Sequence, residues 1–342
     1  MIYLSVIMPV RNEAEHIADA LDRLLAQRYE SGKLEILVVD GMSEDATPQI
    51  VQEYVQKHPN IVRYFENPKR LSSAARNIAI QHAKGEAVII ADGHCFMDDD
   101  QMFQRVDEAF AKSGADCLGR PIVMYEKEDA PLLQWANATA RQSPLGHHAD
   151  SFMYSNKAQF SPASSTAIAY RMSIFEKVGT FDENFDAAED AEMNTRIDAA
   201  GLKCWFEPAI AIRYEPRKTV KGLAYQVSRY GRGRVRLWRK HRHTASLKSF
   251  APGFCTLGAI VGLLLCFVTP FMPPHFGIPL FATVFSVFAL YLLIVMAESA
   301  RLAIAQKRPS LFPGLIVAFA TIHFGYGWGI LREFFFPKRV SE

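Results

Sequence analysis

The apolar run LSVIM at residues 4–8 passes directly into the polar cluster PVRNE at residues 9–13, and a stretch with helical spacing follows. The same succession continues through the first part of the chain. The strand-like runs are Leu4–Met8, Leu34–Asp40, Ile61–Phe65 and Ala87–Asp92, and helical stretches such as Ala14–Gln27 and Ser72–Lys84 separate them. Apolar strands that alternate with helices predict an α/β fold, in which helices cover both faces of a mostly parallel sheet.

Polar clusters follow three of these strands. They are Pro9–Glu13, Asp40–Asp45 and Asp92–His94. Ligands of such sheets bind at the carboxyl ends of the strands, so we expect the three clusters to meet at one edge and to form a single site.

Each cluster also has an ordinary structural explanation. Asp40, followed by Gly41 and short polar residues, can accept hydrogen bonds from a nucleobase or ribose, but a strand-ending Asp is often a helix N-cap. Asp92 and His94 are two residues apart and can share one Mn²⁺ or Mg²⁺ ion. The alternative is a turn with an incidental histidine.

Two further motifs carry charged side chains. Glu189 and Asp190 open a predicted helix that stops at Gly201, and acidic residues are favoured there by the helix dipole. One of these carboxylates could instead be a general base for an acceptor hydroxyl, held by its neighbour. Arg76 could contact phosphate or ribose, and Asn77 could brace a loop. Between these motifs a long polar stretch at 126–162 has the composition of an acceptor-binding loop.

The overall net charge of +2 hides a strong segregation of charge. Residues 1–212 carry 20 Lys and Arg against 32 Asp and Glu, residues 213–248 carry 12 against 1, and residues 249–342 carry 6 against 3. We therefore predict a globular domain at 1–212, a basic amphipathic interface region at 213–248 and a membrane region at 249–342. A basic region can bind nucleic acid, but one just ahead of apolar segments is more typical of contact with anionic lipid headgroups.

The C-terminal region contains three apolar segments, Gly253–Phe271, Ile278–Ala297 and Leu311–Leu331, each long enough to cross about 30 Å of hydrocarbon. The alternative is three buried helices of a soluble domain. Ahead of them, apolar residues recur at helical spacing among Arg and Lys, a pattern typical of a helix in the membrane interface or of an ordinary amphipathic surface helix. These residues are Val220, Leu223, Val227, Tyr230, Leu237 and Trp238.

The membrane topology is left open by the sequence. The basic region and the Arg301/Lys307/Arg308 loop are predicted to be cytoplasmic, and the uncharged Pro270–Gly277 turn external. Three crossings would then place Lys338 and Arg339 outside, against the positive-inside rule. Either the glycine-rich Phe324–Gly329 segment is re-entrant or the short tail is translocated. Five scattered cysteines without a CxxC pair suit a reducing compartment, and we expect no cleaved signal peptide.

In their joint order the motifs resemble those of a family 2 glycosyltransferase with the Rossmann-like GT-A fold. The resemblance covers residues 3–212, and the tail is similar to membrane enzymes of bacterial exopolysaccharide assembly, in particular those of the succinoglycan type. The matching motifs are Pro9-Val10-Arg11-Asn12-Glu13, Val39-Asp40-Gly41-Met42-Ser43-Glu44-Asp45, Ala75-Arg76-Asn77, Asp92-Gly93-His94, Gly179-Thr180-Phe181-Asp182-Glu183 and Glu189-Asp190.

The resemblance implies a role for each motif. Nucleotide binding, usually of UDP, would fall to Pro9, Arg11, Glu13, Asp40, Ser43, Arg76 and Asp92. Asp92 and His94 would hold Mn²⁺ or Mg²⁺, and Asp190 would be the catalytic base beside Glu189. Gln226, Arg229 and Tyr230 form a variant of the Gln-x-x-Arg-Trp motif that lies near the acceptor and diphosphate. The motif Asp-x-His in place of Asp-x-Asp leaves the identity of the metal ion open. Tyr230 in place of Trp weakens the inference that the enzyme is a polymerase.

The function implied is inverting transfer from a nucleotide sugar to a polyprenyl-diphosphate-linked saccharide in the membrane. A polyprenyl-phosphate glycosyltransferase and a processive polysaccharide synthase are the alternatives. A transporter is disfavoured because His323 and the Glu298/Arg301 pair are the few polar groups in the apolar segments. A nucleic-acid-binding module is disfavoured by the acidic domain. A dinucleotide oxidoreductase would need glycines in Pro9–Glu13.

Overall fold

The computed structural model describes residues 1–93, 95–97, 99–124, 130–147 and 155–337. The strands among these residues are β1 (Leu4–Val10), β2 (Leu34–Asp40), β3 (Val62–Glu66), β4 (Ala87–Ile90), β5 (Cys95–Phe96), β6 (Cys117–Gly119), β7 (Ile122–Met124), β8 (Gln159–Ser161), β9 (Ala167–Arg171), β10 (Cys204–Phe206) and β11 (Ile212–Tyr214). The helices are α1 (Ile17–Leu25), α2 (Thr47–Lys57), α3 (Ser72–His82), α4 (Met102–Ser113), α5 (Leu132–Arg141), α6 (Ala163–Thr166), α7 (Ser173–Val178), α8 (Glu189–Ala199), α9 (Val220–Lys240), α10 (Leu247–Val268), α11 (Pro274–Ala305) and α12 (Leu311–Phe335).

Eight of the described strands form one sheet in the order β3-β2-β1-β4-β9-β6-β10-β8. Parallel pairing joins β1 to β2, β1 to β4, β2 to β3 and β6 to β10. Strand β9 runs antiparallel to β4 and β6, and β8 runs antiparallel to β10. Strands β5, β11 and β7 form a smaller sheet. The prediction of an α/β fold with a mostly parallel sheet is confirmed.

Helices cover both faces of the larger sheet. On one face α1 buries Ile17, Leu21 and Leu24, the apolar positions that its sequence pattern indicates. On the other face α3 buries Ala75 and Ala79. Because alternate strand residues point to opposite faces, β1 contributes to both layers and is almost completely buried.

The first predicted helix is shorter than its apolar spacing indicates. We expected a helix over Ala14–Gln27, whereas α1 begins at Ile17. The amide of Glu13 donates to Thr47 Oγ1 at 2.8 Å, and the amide of Ala14 donates to Asp45 Oδ2 at 3.1 Å. These hydrogen bonds hold residues 11–14 as a loop at the end of β1.

The chain divides into two compact units. The first contains the described residues up to 124 and those from 155 to 215, and the second contains residues 130–147 and 216–337. The polar stretch at 126–162, where we expected a loop, contains α5 instead. Its buried Gln134 and Asn137 donate to the carbonyls of Pro216 and Arg217 at 3.1 and 3.2 Å, so the polar residues of α5 satisfy backbone groups inside the second unit.

Three helices among the described residues are long and apolar enough to cross a membrane, namely Leu247–Phe271, Pro274–Ala305 and Leu311–Phe335. The last of them is continuous through Phe324–Gly329, so this described helix shows no break of the kind that the re-entrant alternative would require. Its glycines serve close packing instead. A Cβ on Gly329 would lie 2.1 Å from the Ser228 carbonyl oxygen, and one on Gly231 would lie 2.1 Å from that of Tyr326.

The predicted interface helix exists as α9, but its apolar stripe is not wholly available to a membrane. Leu223, Val227 and Leu237 are at most 4% exposed within the second unit. Only part of the stripe is open, with Val220 and Tyr230 43% and 42% exposed. Most of the stripe that was predicted to face lipid therefore packs against protein.

Candidate active site

The first two polar clusters lie side by side at the carboxyl ends of β1 and β2. The Gly41 amide donates to the Val10 carbonyl at 2.8 Å, and a Cβ on Gly41 would lie 3.4 Å from the Arg11 side chain. Pro9 is half-buried in β1, and Arg11 is exposed. The Ser43 hydroxyl accepts the Asn12 amide at 2.8 Å and so joins the two loops.

Asp40 is buried and organises the loop that follows β2. Its carboxylate accepts hydrogen bonds from the Ser43 amide at 3.0 Å, from the Ser43 hydroxyl and from the Tyr64 hydroxyl at 3.3 Å. Burial, together with the charge of Asp40, raises the pKa of Tyr64 to about 12. Asp40 does not cap a helix: the amide of Thr47, the first residue of α2, donates to Asp45 at 3.0 Å.

The third cluster meets the first at the end of β4. A Cβ on Gly93 would lie 3.3 Å from Glu13 Cγ and 3.4 Å from Val10 Cγ1. Asp92, directly before Gly93, is half-buried. The prediction that the three strand ends converge is therefore confirmed. His94 lies outside the described residues, and among those that are described no three or more His, Cys, Asp or Glu side chains form a group suited to a metal ion.

Arg76, on α3, is the centre of a charged cluster. Its Nη1 is 3.2 Å from Glu189 Oε1, and its guanidinium carbon is 5.2 Å from the ring centroid of Phe181. Burial alone lowers the pKa of Arg76, but the charges of Glu189, Asp190 and Asp92 outweigh burial and raise that pKa. These three carboxylates thus lie close enough to act on one guanidinium.

The contact between Arg76 and Glu189 is an ion pair without full hydrogen bonding. Both residues are 7% exposed. Within the described part of the chain, Nε and Nη1 of Arg76 have no hydrogen-bond partner. A buried donor left without an acceptor costs about 1–3 kcal/mol, and more when it is charged. The cluster therefore holds two buried guanidinium nitrogens whose hydrogens lack an acceptor among the described residues.

The two acidic residues at the start of α8 have different surroundings. Glu189 is buried against Arg76, whereas Asp190 is exposed, and its Oδ1 accepts the Ala191 amide at 2.8 Å. Ala188, directly before them, has a φ of +64°, a left-handed conformation that non-glycine residues rarely adopt. The turn therefore directs one carboxylate inward and leaves the other open to solvent.

Asn77 braces the segment that carries Phe181, as its position beside Arg76 predicts. Its side-chain amide donates to the Phe181 carbonyl at 2.9 Å and accepts the Phe181 amide at 2.9 Å. The same amide group donates to Glu183 at 3.1 Å, and Lys69 pairs with that carboxylate from the other side. The contact between the Phe181 ring and Arg76 was not predicted, because nothing in the motif Gly179–Glu183 indicates that Phe181 packs against Arg76.

The three residues of the Gln-x-x-Arg-Tyr motif lie on α9 in the second unit. Gln226 is 7% exposed, whereas Tyr230 is 42% exposed. Arg229 is half-buried, with its guanidinium carbon 5.9 Å from the ring centroid of Tyr225. Gln226 and Tyr230 are one helical turn apart, and only the tyrosine is largely open to solvent.

Two family models match the sequence. The model described as glycosyl transferase family 2 matches residues 5–179, and that described as glycosyl transferase family group 2 matches residues 96–297. Together they cover all three strand-end clusters, Arg76, the start of α8 and the Gln-x-x-Arg-Tyr motif.

Relatives of known function align over almost the whole chain. The succinoglycan biosynthesis protein ExoA of Rhizobium meliloti is 28% identical over 339 residues, which is 98% of this chain and 96% of that protein. A Methanococcus voltae enzyme is 26% identical over 343 residues, 97% of this chain and 98% of its own. Its name is dolichyl N-acetyl-alpha-D-glucosaminyl phosphate 3-beta-D-2,3-diacetamido-2,3-dideoxy-beta-D-glucuronosyltransferase. The predicted likeness to exopolysaccharide-type enzymes is confirmed.

Solved structures share the fold at low sequence identity. A mannosyltransferase from Pyrobaculum calidifontis, in complex with GDP-Man and Mn²⁺, superposes with a TM-score of 0.58 at 19% identity and covers 96% of this chain and 87% of its own. GalNAc-T7 with UDP, GalNAc and Mn²⁺ gives a TM-score of 0.50 at 18% identity and covers 68% of this chain and 47% of its own. These likenesses confirm the predicted GT-A fold.

Proposed function

Because the chain belongs to glycosyl transferase family 2, we propose that it is an inverting, metal-dependent hexosyltransferase. Its donor is a nucleoside diphosphate sugar, with UDP as the nucleotide. Its acceptor is a saccharide held in the membrane on a polyprenyl diphosphate, and its product is part of an exopolysaccharide or another cell-surface glycan. The catalytic domain lies in the cytoplasm, at the inner (plasma) membrane.

The incomplete hydrogen bonding of the Arg76 guanidinium is the observation that supports this proposal most directly. A buried guanidinium with two unsatisfied N–H groups, at the carboxyl edge of a parallel sheet, suits an anionic or polar ligand oxygen. A ribose or diphosphate oxygen of the donor would accept these hydrogen bonds. Glu189 would keep the guanidinium in place for the donor.

The strand-end loops supply the remainder of the donor site. Asp40 and Ser43 order the loop after β2. Beside it lie Pro9, near the end of β1, and Arg11 and Glu13 in the loop that follows β1. In this proposal the nucleoside lies between the two loops, with the diphosphate towards Arg76 and Asp92. Each loop is fixed by hydrogen bonds of its own, so little ordering is required when the donor binds.

Asp92 and His94 would hold a divalent cation beside the donor diphosphate. A carboxylate and an imidazole suit Mn²⁺ at least as well as Mg²⁺. Such ions often take only one or two protein ligands when phosphate oxygens complete their coordination, so the half-buried Asp92 fits this set. When bound, the cation would neutralise charge on the leaving diphosphate. Two of the solved structures that share the fold contain Mn²⁺.

Asp190 is proposed as the general base. It is the exposed carboxylate of the Glu189-Asp190 pair, so an acceptor hydroxyl can reach it. It would take the hydroxyl proton as that oxygen attacks the anomeric carbon on the face opposite the diphosphate. One such displacement inverts the anomeric configuration, so an α-linked donor yields a β-glycoside.

The lipid-linked acceptor is supported by the apolar helices and by the relatives. The Methanococcus enzyme is named for a sugar carried on dolichyl phosphate. An anionic lipid head at the bilayer surface would suit the basic region 213–248, in which Gln226, Arg229 and Tyr230 are proposed to contact the acceptor and diphosphate. A polyprenyl monophosphate acceptor has no hydroxyl that must be deprotonated by a general base. The turnover of a variant without the Asp190 carboxylate therefore distinguishes the two kinds of acceptor.

The test is the Asp190→Asn variant of the full chain. After a panel of nucleotide sugars has identified the donor from the release of nucleoside diphosphate, we expect this variant to bind the donor normally. Its turnover should fall by at least about 10²-fold, the scale of a lost general base. Glu176→Gln, an exposed carboxylate on α7, is the matched control. Normal turnover of Asp190→Asn would contradict the assignment of Asp190 as the general base and favour a phosphate acceptor. If the parent protein released no nucleoside diphosphate from any donor in the panel, the proposed function would be wrong.

Chelation tests the cation separately. Excess chelator should abolish transfer, and added Mn²⁺ should restore it at least as well as Mg²⁺. Full activity in chelator would contradict the assignment of Asp92 and His94 to a metal. Asp92→Asn should behave like the chelated enzyme and should not be rescued by Mn²⁺.

A further inference from the structure

The third candidate span, α12, is lined along its C-terminal half by a basic helix. α9 runs beside it in parallel register, with Val227 against Gly325 and Ser228 against Gly329. Further along, Arg236 donates to Glu333 through Nε at 2.9 Å and through Nη2 at 3.2 Å. α9 contains seven Lys and Arg residues and no Asp or Glu. The half of α12 that follows Ile322 is therefore packed along a strongly cationic helix.

The N-terminal half of α12 is packed against α5, a helix outside the apolar tail. A Cβ on Gly314 would lie 3.1 Å from Ala136 Cβ. Leu311, Leu315 and Phe319 form one buried cluster with residues of this helix. Both halves of α12 thus contact segments that precede the first apolar helix in the chain.

The second candidate span, α11, has different surroundings. On α11 the consecutive residues Leu292, Leu293 and Ile294 are 47%, 66% and 48% exposed. Consecutive helical residues point about 100° apart, so apolar side chains leave this helix in several directions. The most apolar stretch of α11 has a mean hydropathy of 2.5 and is 6% buried, against 1.5 and 39% for α12. α11 has the surface of a lipid-surrounded helix, and α12 does not.

Three exposed apolar residues of α12 lie along one line of the helix. Val317, Trp328 and Phe335 are 42%, 53% and 59% exposed and are 11 and 7 residues apart, close to three and two whole turns. Phe334, 49% exposed, lies beside this line at the end of the helix. A narrow apolar strip with an exposed tryptophan, on a helix that otherwise packs against α5, α9 and α10, is typical of a helix lying in the membrane interface.

We propose that α12 does not cross the bilayer but lies in its interface, on the side of α9, while α10 and α11 alone form a spanning hairpin. If α12 crossed, α9 would have to enter the hydrocarbon with it and carry its seven cations, which is strongly unfavourable. In the interface the line of Val317, Trp328 and Phe335 contacts acyl chains, and the arginines of α9 reach anionic headgroups.

The length of α11 and the charges of the tail agree with two crossings. α11 has 32 residues, about 48 Å of helix and more than about 30 Å of hydrocarbon needs. Its excess lies at Val295–Ala305, where Val295, Leu302 and Ala303 join the α12 cluster and Glu298 accepts a hydrogen bond from Ser143 at 2.6 Å. With two crossings Lys338 and Arg339 end on the side of the basic region, as the positive-inside rule requires.

Cysteine labelling of the full chain tests the side of the tail. In a background with Cys255 and Cys266 replaced by alanine, Ser341→Cys, Ala245→Cys and His275→Cys would each be labelled with an impermeant maleimide in intact spheroplasts and in inverted vesicles. We expect Ser341→Cys to react like Ala245→Cys, before α10, and opposite to His275→Cys, in the first turn of α11. The background without added cysteine gives the blank. Reaction of Ser341→Cys together with His275→Cys would overturn the proposal.

A depth measurement tests the placement of α12 itself. Bimane at Thr321→Cys, near the middle of α12, is compared with bimane at Phe285→Cys, near the middle of the crossing part of α11, in vesicles containing phosphatidylglycerol and lipids with nitroxide at a shallow or deep acyl position. We expect the ratio of shallow to deep quenching to exceed one at residue 321 and to fall below one at residue 285. A ratio below one at both positions would place α12 across the bilayer and overturn the proposal. Neither measurement depends on enzymatic activity.

Discussion

Two buried Arg–Glu pairs, one in each unit of the chain, differ in geometry. Arg236 and Glu333, between α9 and α12, form two hydrogen bonds of 2.9 and 3.2 Å. Arg76 and Glu189, between α3 and α8, approach to 3.2 Å, yet Nε and Nη1 of Arg76 have no partner among the described residues. All four residues are at most 8% exposed.

We interpret the first geometry as that of a pair that holds two helices together, and we propose that the second pair contributes to donor binding. A bidentate pair satisfies its own polar groups, which is what burial between two helices requires. A buried guanidinium that leaves two donors unsatisfied is destabilising in the free protein, and such groups are concentrated at functional sites. We therefore expect substitutions at the first pair to change stability and substitutions at the second to change donor binding.

The largest effect is expected for Arg236→Met. It leaves Glu333 buried without its bidentate partner, and breaking a buried pair in this way costs about 3–5 kcal/mol. We expect a clear drop in the thermal midpoint of the purified protein. The double variant Arg236→Met/Glu333→Leu should recover most of that loss, because no buried charge is left unpaired: Arg239, whose Nη1 lies 3.7 Å from Glu333, has a side chain that is 33% exposed. A double variant as unstable as the single one would show that packing, rather than charge, holds α9 to α12.

A conservative change at the other pair should spare stability. Arg76→Lys keeps the charge beside Glu189 but removes the planar fork of N–H donors. Hydrogen bonds to charged groups contribute about 1.5–3 kcal/mol, so donor affinity should fall about 10- to 100-fold with little change in the thermal midpoint. Titration with the nucleotide sugar measures this, and Arg23→Lys, at an exposed pair on α1, is the control. Unchanged affinity would remove Arg76 from the donor site.

The sequence predicted the loops of the first unit better than the helices of the second. Strand β2 has the predicted limits Leu34–Asp40, and the three strand-end clusters converge because parallel strands end at one edge. The pairing of Arg76 with Glu189 was not predicted, since 113 positions separate them and neither has a local sign of the other. In the second unit, apolar spacing identified α9 and α12 but could not tell whether each apolar face meets lipid or protein. The glycines at 231, 325 and 329 were the available sign of close helix packing.

The smallest change in stability is expected at an exposed ion pair, which serves as a reference for the two buried pairs. Lys69 and Glu183 have side chains 67% and 32% exposed, and the hydrogen bond from Lys69 is the main reason why the pKa of Glu183 is lowered. A carboxyl whose pKa is lower in the folded state contributes stability above its unfolded-state pKa and loses it as the pH falls through the folded value. Lys69→Met should therefore cost at most about 1 kcal/mol at pH 7. The difference in stability from the parent protein should shrink as the pH falls and Glu183 becomes protonated in both proteins.

Thermal melts at pH 7 and at the lowest pH where both proteins stay folded measure this difference. The control is Lys57→Met, whose 3.8 Å pair with Glu53 is exposed. An equal loss at both pH values would show that the aliphatic stem of Lys69, rather than its charge on Glu183, is what stabilises this loop.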